Sequence, residues 1–489
     1  MSILVATTSL DHDPAEVFAW HERPGAFIRL TQPGFGRVES EASDGLAVGS
    51  RAVLRVAVPG TRLPGLPPAG LRWVARHTSY DPPRGFTDVM ESGPFASWRH
   101  ERDFAAGRAG GDGGDGGGGT TMTETVTYEL PRAARVPGVG RLAEHEIRAR
   151  LRSMFAYRGR VLAGDLAFHA AHPGPPRTVA ITGASGLVGT QVEALLSGGG
   201  HRVRRLVRGR PDARRGEIAW DPMAGTIDRD ALADVDVVIN LAGHPIAGRF
   251  TDAHLRLVRD SRVRGTDALA RALADLSSDG RQRALVNGSA SGYYGPGRGD
   301  QTLTEQADPG EGALAEIVRA WEAATEPART AGVRVAVVRT GIVQSPAGGQ
   351  LGLQLPLFTW GLGGPLGSGS AWLPWIGIDD IAGVFAHVAL ADVDGPVNAC
   401  APHPTSGREY ATTLGRVLHR PTALRVPARA VALLLGEAGA REFALAGQRM
   451  VPTRLVDMGY AFRQATLQEC LQHVLGTTDA GPTAVTFQP

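Results

Sequence analysis

Residues Thr182-Gly183-Ala184-Ser185-Gly186-Leu187-Val188-Gly189 stand between an apolar run, Val179-Ala180-Ile181, and an amphipathic run from Leu187 to Leu196. The first run reads as a buried strand and the second as a helix, so the glycines fall in a strand-to-helix turn. Such a turn is a phosphate site. Gly183 permits the tight turn, Gly186 lets the backbone approach a pyrophosphate, and Gly189 lets the helix pack on the strand. Free N–H groups at the helix start then face the anion. Glycine clusters also serve as plain turns, but strand, spacing and helix agree here, and they favour a dinucleotide.

Alternation of strands and helices continues from this point. Strands are expected at Thr178–Thr182, Arg202–Val207, Val235–Leu241, Arg283–Gly288 and Val333–Arg339, with helices between them. This is the pattern of a doubly wound parallel α/β sheet of the Rossmann type. The second strand ends at Val207, where an acidic residue would hold the ribose of NAD. Arg208 follows instead, with Arg210 close by, and a cation there suits the 2′-phosphate of NADP. A solvated basic turn is the plainer alternative. Asn240-Leu241-Ala242-Gly243 ends the next strand with small residues that let the backbone approach a cofactor.

At 489 residues the chain is long enough for two or three domains. A formal net charge of +2 predicts neither nucleic-acid nor membrane attraction. Asp11, His12 and Asp13 interrupt the N-terminus before an apolar stretch develops, so no secretory leader is expected. The run Ala430 to Leu435 is too short to span a bilayer. Two cysteines, Cys400 and Cys470, show no disulfide or metal spacing, and no metal site is expected. A cytoplasmic protein of unknown oligomeric state is the simplest expectation. All 51 basic residues are arginine, which excludes Schiff-base, P-loop and catalytic lysines.

Upstream, residues 1–169 carry a different pattern. Ile3–Leu10 reads as a strand, and Asp13 before Pro14 as a helix start. Extended stretches follow at Arg51–Val58, Leu71–Ser79, Phe86–Glu91, Ala96–Phe104 and Thr120–Leu130, with a flexible hairpin tip expected from Gly110 to Gly119. From Arg141 to about Phe168 the spacing of Leu142, Ile147, Leu151, Phe155 and Leu162 predicts a long helix with one broad apolar face. This order resembles the START-like (SRPBCC, polyketide cyclase-like) helix-grip family. The resemblance implies an α+β domain whose curved sheet wraps the last helix around an apolar cavity, with room for an apolar ligand. Trp73, Tyr80, Phe95, Trp98 and His100 either line that cavity or are core. Residues 170–177, rich in proline, read as a linker.

From 178 to about 476 the chain resembles the short-chain dehydrogenase/reductase superfamily, in its extended and atypical branch. The matching pieces are Thr182–Gly189, Asn240–Gly243, Ser289-Ala-Ser-Gly-Tyr-Tyr-Gly295 and Trp375-Ile-Gly-Ile-Asp-Asp-Ile-Ala382. Trp220-Asp221-Pro222, Trp321-Glu322-Ala323-Ala324, Gly361–Gly367 and the segment from Val426 are similar to the epimerase-like subfamily often labelled nucleoside-diphosphate-sugar epimerase. That likeness implies NADP(H) and adds Arg262 to a cofactor set of Gly183, Ala184, Ser185, Gly186, Leu187, Val188, Val207, Arg208, Leu241, Ala242 and Gly243. It divides this region into a cofactor domain, 178–403, and a closing segment, 404–476. Thr466 with Glu469 forms a capping box for a last helix. A tail, 477–489, is expected to be frayed.

The superfamily's chemistry normally needs a Ser or Thr, a Tyr and a Lys. Aligning Glu322 with the family's helical glutamate places Leu314 and Val318 where the Tyr and Lys belong, and neither residue type occurs from Gln301 to Glu322. Ser289, Ser291, Tyr293 and Tyr294 remain, with Ser289 and Tyr294 the candidate catalytic pair. Asp379 and Asp380 are expected to cap the helix that follows them. Two functions fit these residues. One is an NADP(H)-dependent, epimerase-like oxidoreductase acting on a small carbonyl or sugar-type substrate. The other is a non-catalytic NADP(H)-binding sensor whose START-like domain takes an apolar ligand.

Overall fold

The computed structural model describes every residue except 43, 58–69, 109–117, 131–138 and 489, and omits the side chains of 108 and 139–143. Two compact units emerge: 1–173 with 197–200 and 472–489, and 174–196 with 201–471.

The first unit is an eight-stranded antiparallel sheet with one long helix. Its elements are β1 (Ser2–Leu10), α1 (Pro14–Glu22), α2 (Ala26–Arg29), β2 (Gly36–Ser40), β3 (Arg51–Ala57), β4 (Gly70–Asp81), β5 (Gly85–Ser92), β6 (Ser97–Arg108), β7 (Gly118–Glu129) and α3 (Val139–Ala170). The strand order is β2-β3-β4-β5-β6-β7-β1, closed by a final strand, Thr483–Gln488. Asp13 caps α1 through Ala15 N–H at 2.8 Å, with Pro14 in the first turn, as the sequence dictates. Leu151 and Phe155 of α3 pack on Leu4, Trp73 and Trp98, while Leu162 and Leu166 pack on Phe18, Phe86 and Phe104.

Two expectations change, and one strand was not anticipated. The tail is not frayed: Thr483–Gln488 pairs with β1, from Ile3↔Gln488 to Thr8↔Thr483. Its alternation sends Val485 and Phe487 onto the core beside Leu4, a period-two signal in a stretch of only six residues. Gly118 and Gly119 belong to β7, paired with Arg108 and Gly107; the rest of the expected hairpin tip, Val58 of the first extended stretch and the Leu142 side chain lie outside the described residues. The short, largely polar β2 gives too weak an alternation to be read.

The second unit holds β8 (Thr178–Thr182), α4 (Leu187–Gly198), β9 (Arg202–Val207), β10 (Ile218–Asp221), β11 (Thr226–Ile227), β12 (Val237–Asn240), α5 (Asp252–Leu276), β13 (Ala284–Ala290), β14 (Thr302–Leu303), α6 (Ala313–Ala323) and β15 (Arg334–Thr340). Its main sheet runs β11-β10-β9-β8-β12-β13-β15 and then Gly395–Ala399. All neighbours pair in parallel except the β10–β11 hairpin. The order reverses between β8 and β12, which places a ligand crevice at the carboxyl ends of those two strands. Ala180, Val238, Leu285 and Val335 form the buried middle of the sheet, covered by Leu269 and Leu273 of α5. The expected capping box is present: Thr466 N–H donates to Glu469 at 3.1 Å, and Glu469 N–H to the Thr466 hydroxyl at 3.3 Å. No helix among the described residues is long and apolar enough to cross a membrane.

Candidate functional site

The glycine loop joins β8 to α4 at the point where the sheet order reverses. Gly183 takes φ +68°, and a Cβ there would meet the Leu241 carbonyl at 2.9 Å. At Gly189 a Cβ would lie 2.2 Å from the Gly183 oxygen, so no larger residue fits without moving the turn. Ala184 is buried, Leu187 and Val188 are half-buried, and Ser185 and Gly186 are exposed. The loop therefore presents backbone outward from an anchored base.

That base is a buried chain of polar side chains. The Thr182 hydroxyl donates to Asn240 Oδ1 at 2.7 Å and accepts the Leu241 and Ala242 N–H groups at 3.0 and 3.1 Å. Asn240 Nδ2 donates to the Thr266 hydroxyl and to Asn287 Oδ1, and the Trp321 indole N–H also reaches Thr266 at 3.0 Å. Leu241, Ala242 and the glycine loop are thus tied to one network, which fixes their spacing. The sequence signal missed here is a buried Asn in each of two neighbouring strands, Asn240 at the end of β12 and Asn287 in the middle of β13.

Arg262, on α5, lies beside Gly243: a Cβ on that glycine would be 2.8 Å from the guanidinium carbon. Its Nη1 donates to the carbonyls of His244 and Val258, and its guanidinium carbon lies 5.1 Å from the Trp321 ring centroid. Nε finds no hydrogen-bond partner, and no carboxylate pairs with Arg262 among the described residues. Burial alone pulls its pKa down to about 10. A buried cation without a counter-ion, beside the Gly243 turn at the carboxyl end of β12, fits an anionic ligand. Val207 is half-buried at the end of β9, and Arg208 after it is exposed, with no ion-pair partner among the described residues.

The expected catalytic residues, Ser289 and Tyr294, are buried and linked to each other through Glu322 and Arg339. Tyr294 is fully buried; its hydroxyl faces Asn398 Oδ1 (2.6 Å) and the Thr304 carbonyl (3.0 Å) and accepts from Arg339 (3.1 Å). Burial pushes its pKa up to about 12. Ser289 is also buried and donates to Glu322 at 2.5 Å, while Glu322 forms a two-pronged pair with Arg339 at 2.9 and 3.0 Å. Both hydroxyls are buried and hydrogen-bonded to protein groups. Ser291 and Tyr293 are the half-buried members of this turn, and the Arg339 guanidinium carbon lies 3.4 Å from the Tyr293 ring centroid. Leu314 and Val318 of α6 do face the same turn: a Cβ on Gly292 would touch both at 3.6 Å. Leu314 and Val318 give that side of the turn an apolar surface.

Asp379 and Asp380 also differ from expectation. Both are buried in the first turn of the helix Ile378–Leu390, yet Asp380 accepts the backbone N–H groups of Arg463 and Gln464 at 2.8 and 3.1 Å. It clamps the closing segment rather than capping its own helix.

Residues 179–400 match the NAD dependent epimerase/dehydratase family, and residues 426–474 match a domain of unknown function (DUF1731). An epimerase family protein of Mycobacterium tuberculosis is 42% identical over 295 residues, covering 60% of this chain and 96% of the relative. This chain belongs to the epimerase family. The human epimerase family protein SDR39U1 is 34% identical over 308 residues, covering 61% of this chain and 99% of the human protein. Its crystal structure with NADPH (isoform 2) superposes with a TM-score of 0.53 over 61% of this chain and 98% of that one. A nucleoside-diphosphate sugar epimerase structure from Corynebacterium glutamicum gives a TM-score of 0.74 at 34% identity, over 96% of this chain and 90% of that one.

This epimerase family chain encloses a second feature in its N-terminal unit, a cavity of about 570 Å³ between sheet and helix. Trp73, Phe95, Trp98 and His100 line it, as expected. Tyr80 does not: it is exposed, and its hydroxyl donates to Glu22. At one end lies a cluster missed in the sequence. Arg102 donates to Asp88 at 2.6 Å and to His100 at 2.9 Å, and His100 Nε2 lies 3.1 Å from Glu124, with Arg158 3.6 Å from the same carboxylate. Glu124 shares the inward phase of β7 with Met122, Val126 and Tyr128, so a charge in an apolar phase was the available signal.

Proposed function

We propose that the second unit is an NADP(H)-dependent oxidoreductase of the epimerase family, acting on a small carbonyl or sugar-type substrate without a tyrosine–lysine pair. The observation that carries this reading is the buried, counter-ion-free Arg262 beside Gly243, in the segment after β12 that packs on the glycine loop through Leu241 and Ala242. Gly183, Ala184, Ser185, Gly186, Leu187 and Val188 would receive the pyrophosphate, Arg208 after Val207 the 2′-phosphate, and Leu241, Ala242, Gly243 and Arg262 the remainder of the cofactor. The NADPH in the human relative's structure supports the choice of cofactor. When bound, the cofactor supplies a hydride. The chain's own part is to hold the loop through Thr182 and Asn240 and to orient Tyr293 under Arg339, with Tyr293 or Ser291 as proton donor. Positioning alone lowers barriers substantially, so the lost pair does not preclude turnover.

The N-terminal unit is read as a START-like helix-grip domain that binds an apolar ligand. Its antiparallel sheet, long closing helix and the cavity between them support that assignment.

Calorimetry with NADPH and NADH tests the cofactor. A charge-assisted contact contributes roughly 1.5–3 kcal/mol, so NADPH should bind about ten- to a hundredfold tighter, and Arg208→Ala should remove most of that preference. Equal affinities of the wild type for the two cofactors would overturn the assignment.

A further inference from the structure

The buried charges of the N-terminal cavity gather around Arg102, while much of the remaining wall is apolar, with Trp73, Phe95 and Trp98 packed against one another at 5.0–5.7 Å between ring centroids and Thr31 and Gln32 as uncharged polar lining. Four charged side chains form this group, and they cancel: Asp88 and Glu124 against Arg102 and Arg158. Burial opposes ionisation of both acids, yet Arg102 and His100 hold Asp88 below the usual carboxylate range, and Arg158, His100 and Arg102 do the same for Glu124. Three histidines share the wall and stay neutral at pH 7: burial pulls His21 and His100 down to about 4 and lowers His77. Glu22, Glu41, Arg23 and Arg150 line the rim and also cancel. A charged ligand would gain no net attraction and would lose its hydration.

Three buried polar atoms of lining residues have no hydrogen-bond partner, His77 Nδ1, Arg158 Nε and His100 Nε2, and only the last faces a carboxylate, Glu124 at 3.1 Å. His77 and Arg158 line the cavity at 8% and 7% exposure. Buried polar groups are rarely left so, and a ligand oxygen would supply the partner.

We infer that this cavity takes a neutral molecule with a flat apolar body and one hydrogen-bonding oxygen, a hydroxyl or carbonyl, received at the His77–Arg158 end, and that it discriminates against carboxylates. The inference rests on reading the N-terminal unit as a ligand-binding domain. The volume lies in the range of pockets that hold drug-sized ligands. Aromatic faces suit a flat ring system, and the balanced charges set the choice of a neutral head group.

Fluorescence titration of the full chain with three probes tests it: anthracene, 9-anthracenemethanol and 9-anthracenecarboxylate. The alcohol is expected to bind at least about tenfold tighter than the carboxylate, and several-fold tighter than the hydrocarbon. Trp73→Ala should weaken all three, which locates them in this cavity. His77→Phe should erase the alcohol's advantage over anthracene while anthracene binding holds; His77→Gln, which keeps a hydrogen-bonding group, should retain part of it. A carboxylate that binds as tightly as the alcohol, or an alcohol no better than anthracene, overturns the inference, and these wild-type ratios decide even if a variant fails to fold. Binding of none of the three would instead overturn the ligand-binding reading of the unit.

Discussion

Replacing Arg262 by methionine separates a cofactor anchor from a structural strut. Methionine keeps the apolar stem and removes the charge. Burial lowers the Arg262 pKa from 12.5 to about 10, so its desolvation costs on the order of 3 kcal/mol. Against this stand two charge-assisted bonds to carbonyls and the stacking on Trp321, together of similar size. Unliganded stability should therefore change by less than about 2 kcal/mol in urea melts. NADPH affinity should fall by roughly ten- to a hundredfold by calorimetry, since one charge-assisted contact is lost. A variant that binds NADPH as tightly as the wild type would refute the reasoning, above all if its stability collapsed.

Asp380 gives a pH signature. Burial raises its pKa from 3.8 to about 7, so between those values the folded state holds a proton that the unfolded state has released. Stability from this group thus falls as pH rises, by about 2–3 kcal/mol from pH 5 to pH 8, and Asp380→Asn should flatten that slope in melts across the range. Tyr294→Phe should cost about 1–3 kcal/mol by freeing Asn398 and Arg339, with turnover per folded molecule unchanged; lower turnover at wild-type stability would restore Tyr294 as a donor. Gly189→Ala places a Cβ 2.2 Å from the Gly183 oxygen and should weaken NADPH binding by at least about tenfold, so an unaltered Kd would show that the loop does not hold the cofactor.

The parallel sheet was legible because its strands are short apolar runs separated by helices. β8 and β9 begin and end where the sequence places them. The glycine loop was legible because each glycine meets a steric demand that survives in the fold, Gly183 against Leu241 and Gly189 against Gly183. Hydroxyl residues were not, since residue type says nothing of depth: Ser289 and Tyr294 look like their neighbours Ser291 and Tyr293 until packing buries the first two. Partners remote in sequence were equally hidden. Glu322 meets Ser289 33 residues away, and Asp380 meets Arg463 83 residues away. The last strand escaped notice because its partner, β1, lies at the other end of the chain.

The central claim is that this chain transfers a hydride without a tyrosine–lysine pair. The most direct measurement is the loss of reduced-nicotinamide absorbance when the full chain, loaded with NADPH, meets a broad panel of carbonyls and sugar nucleotides. At least one compound should oxidise the bound cofactor, and Tyr293→Phe or Ser291→Ala should slow that reaction. Tight NADPH binding with no oxidation by any member of the panel would contradict the claim.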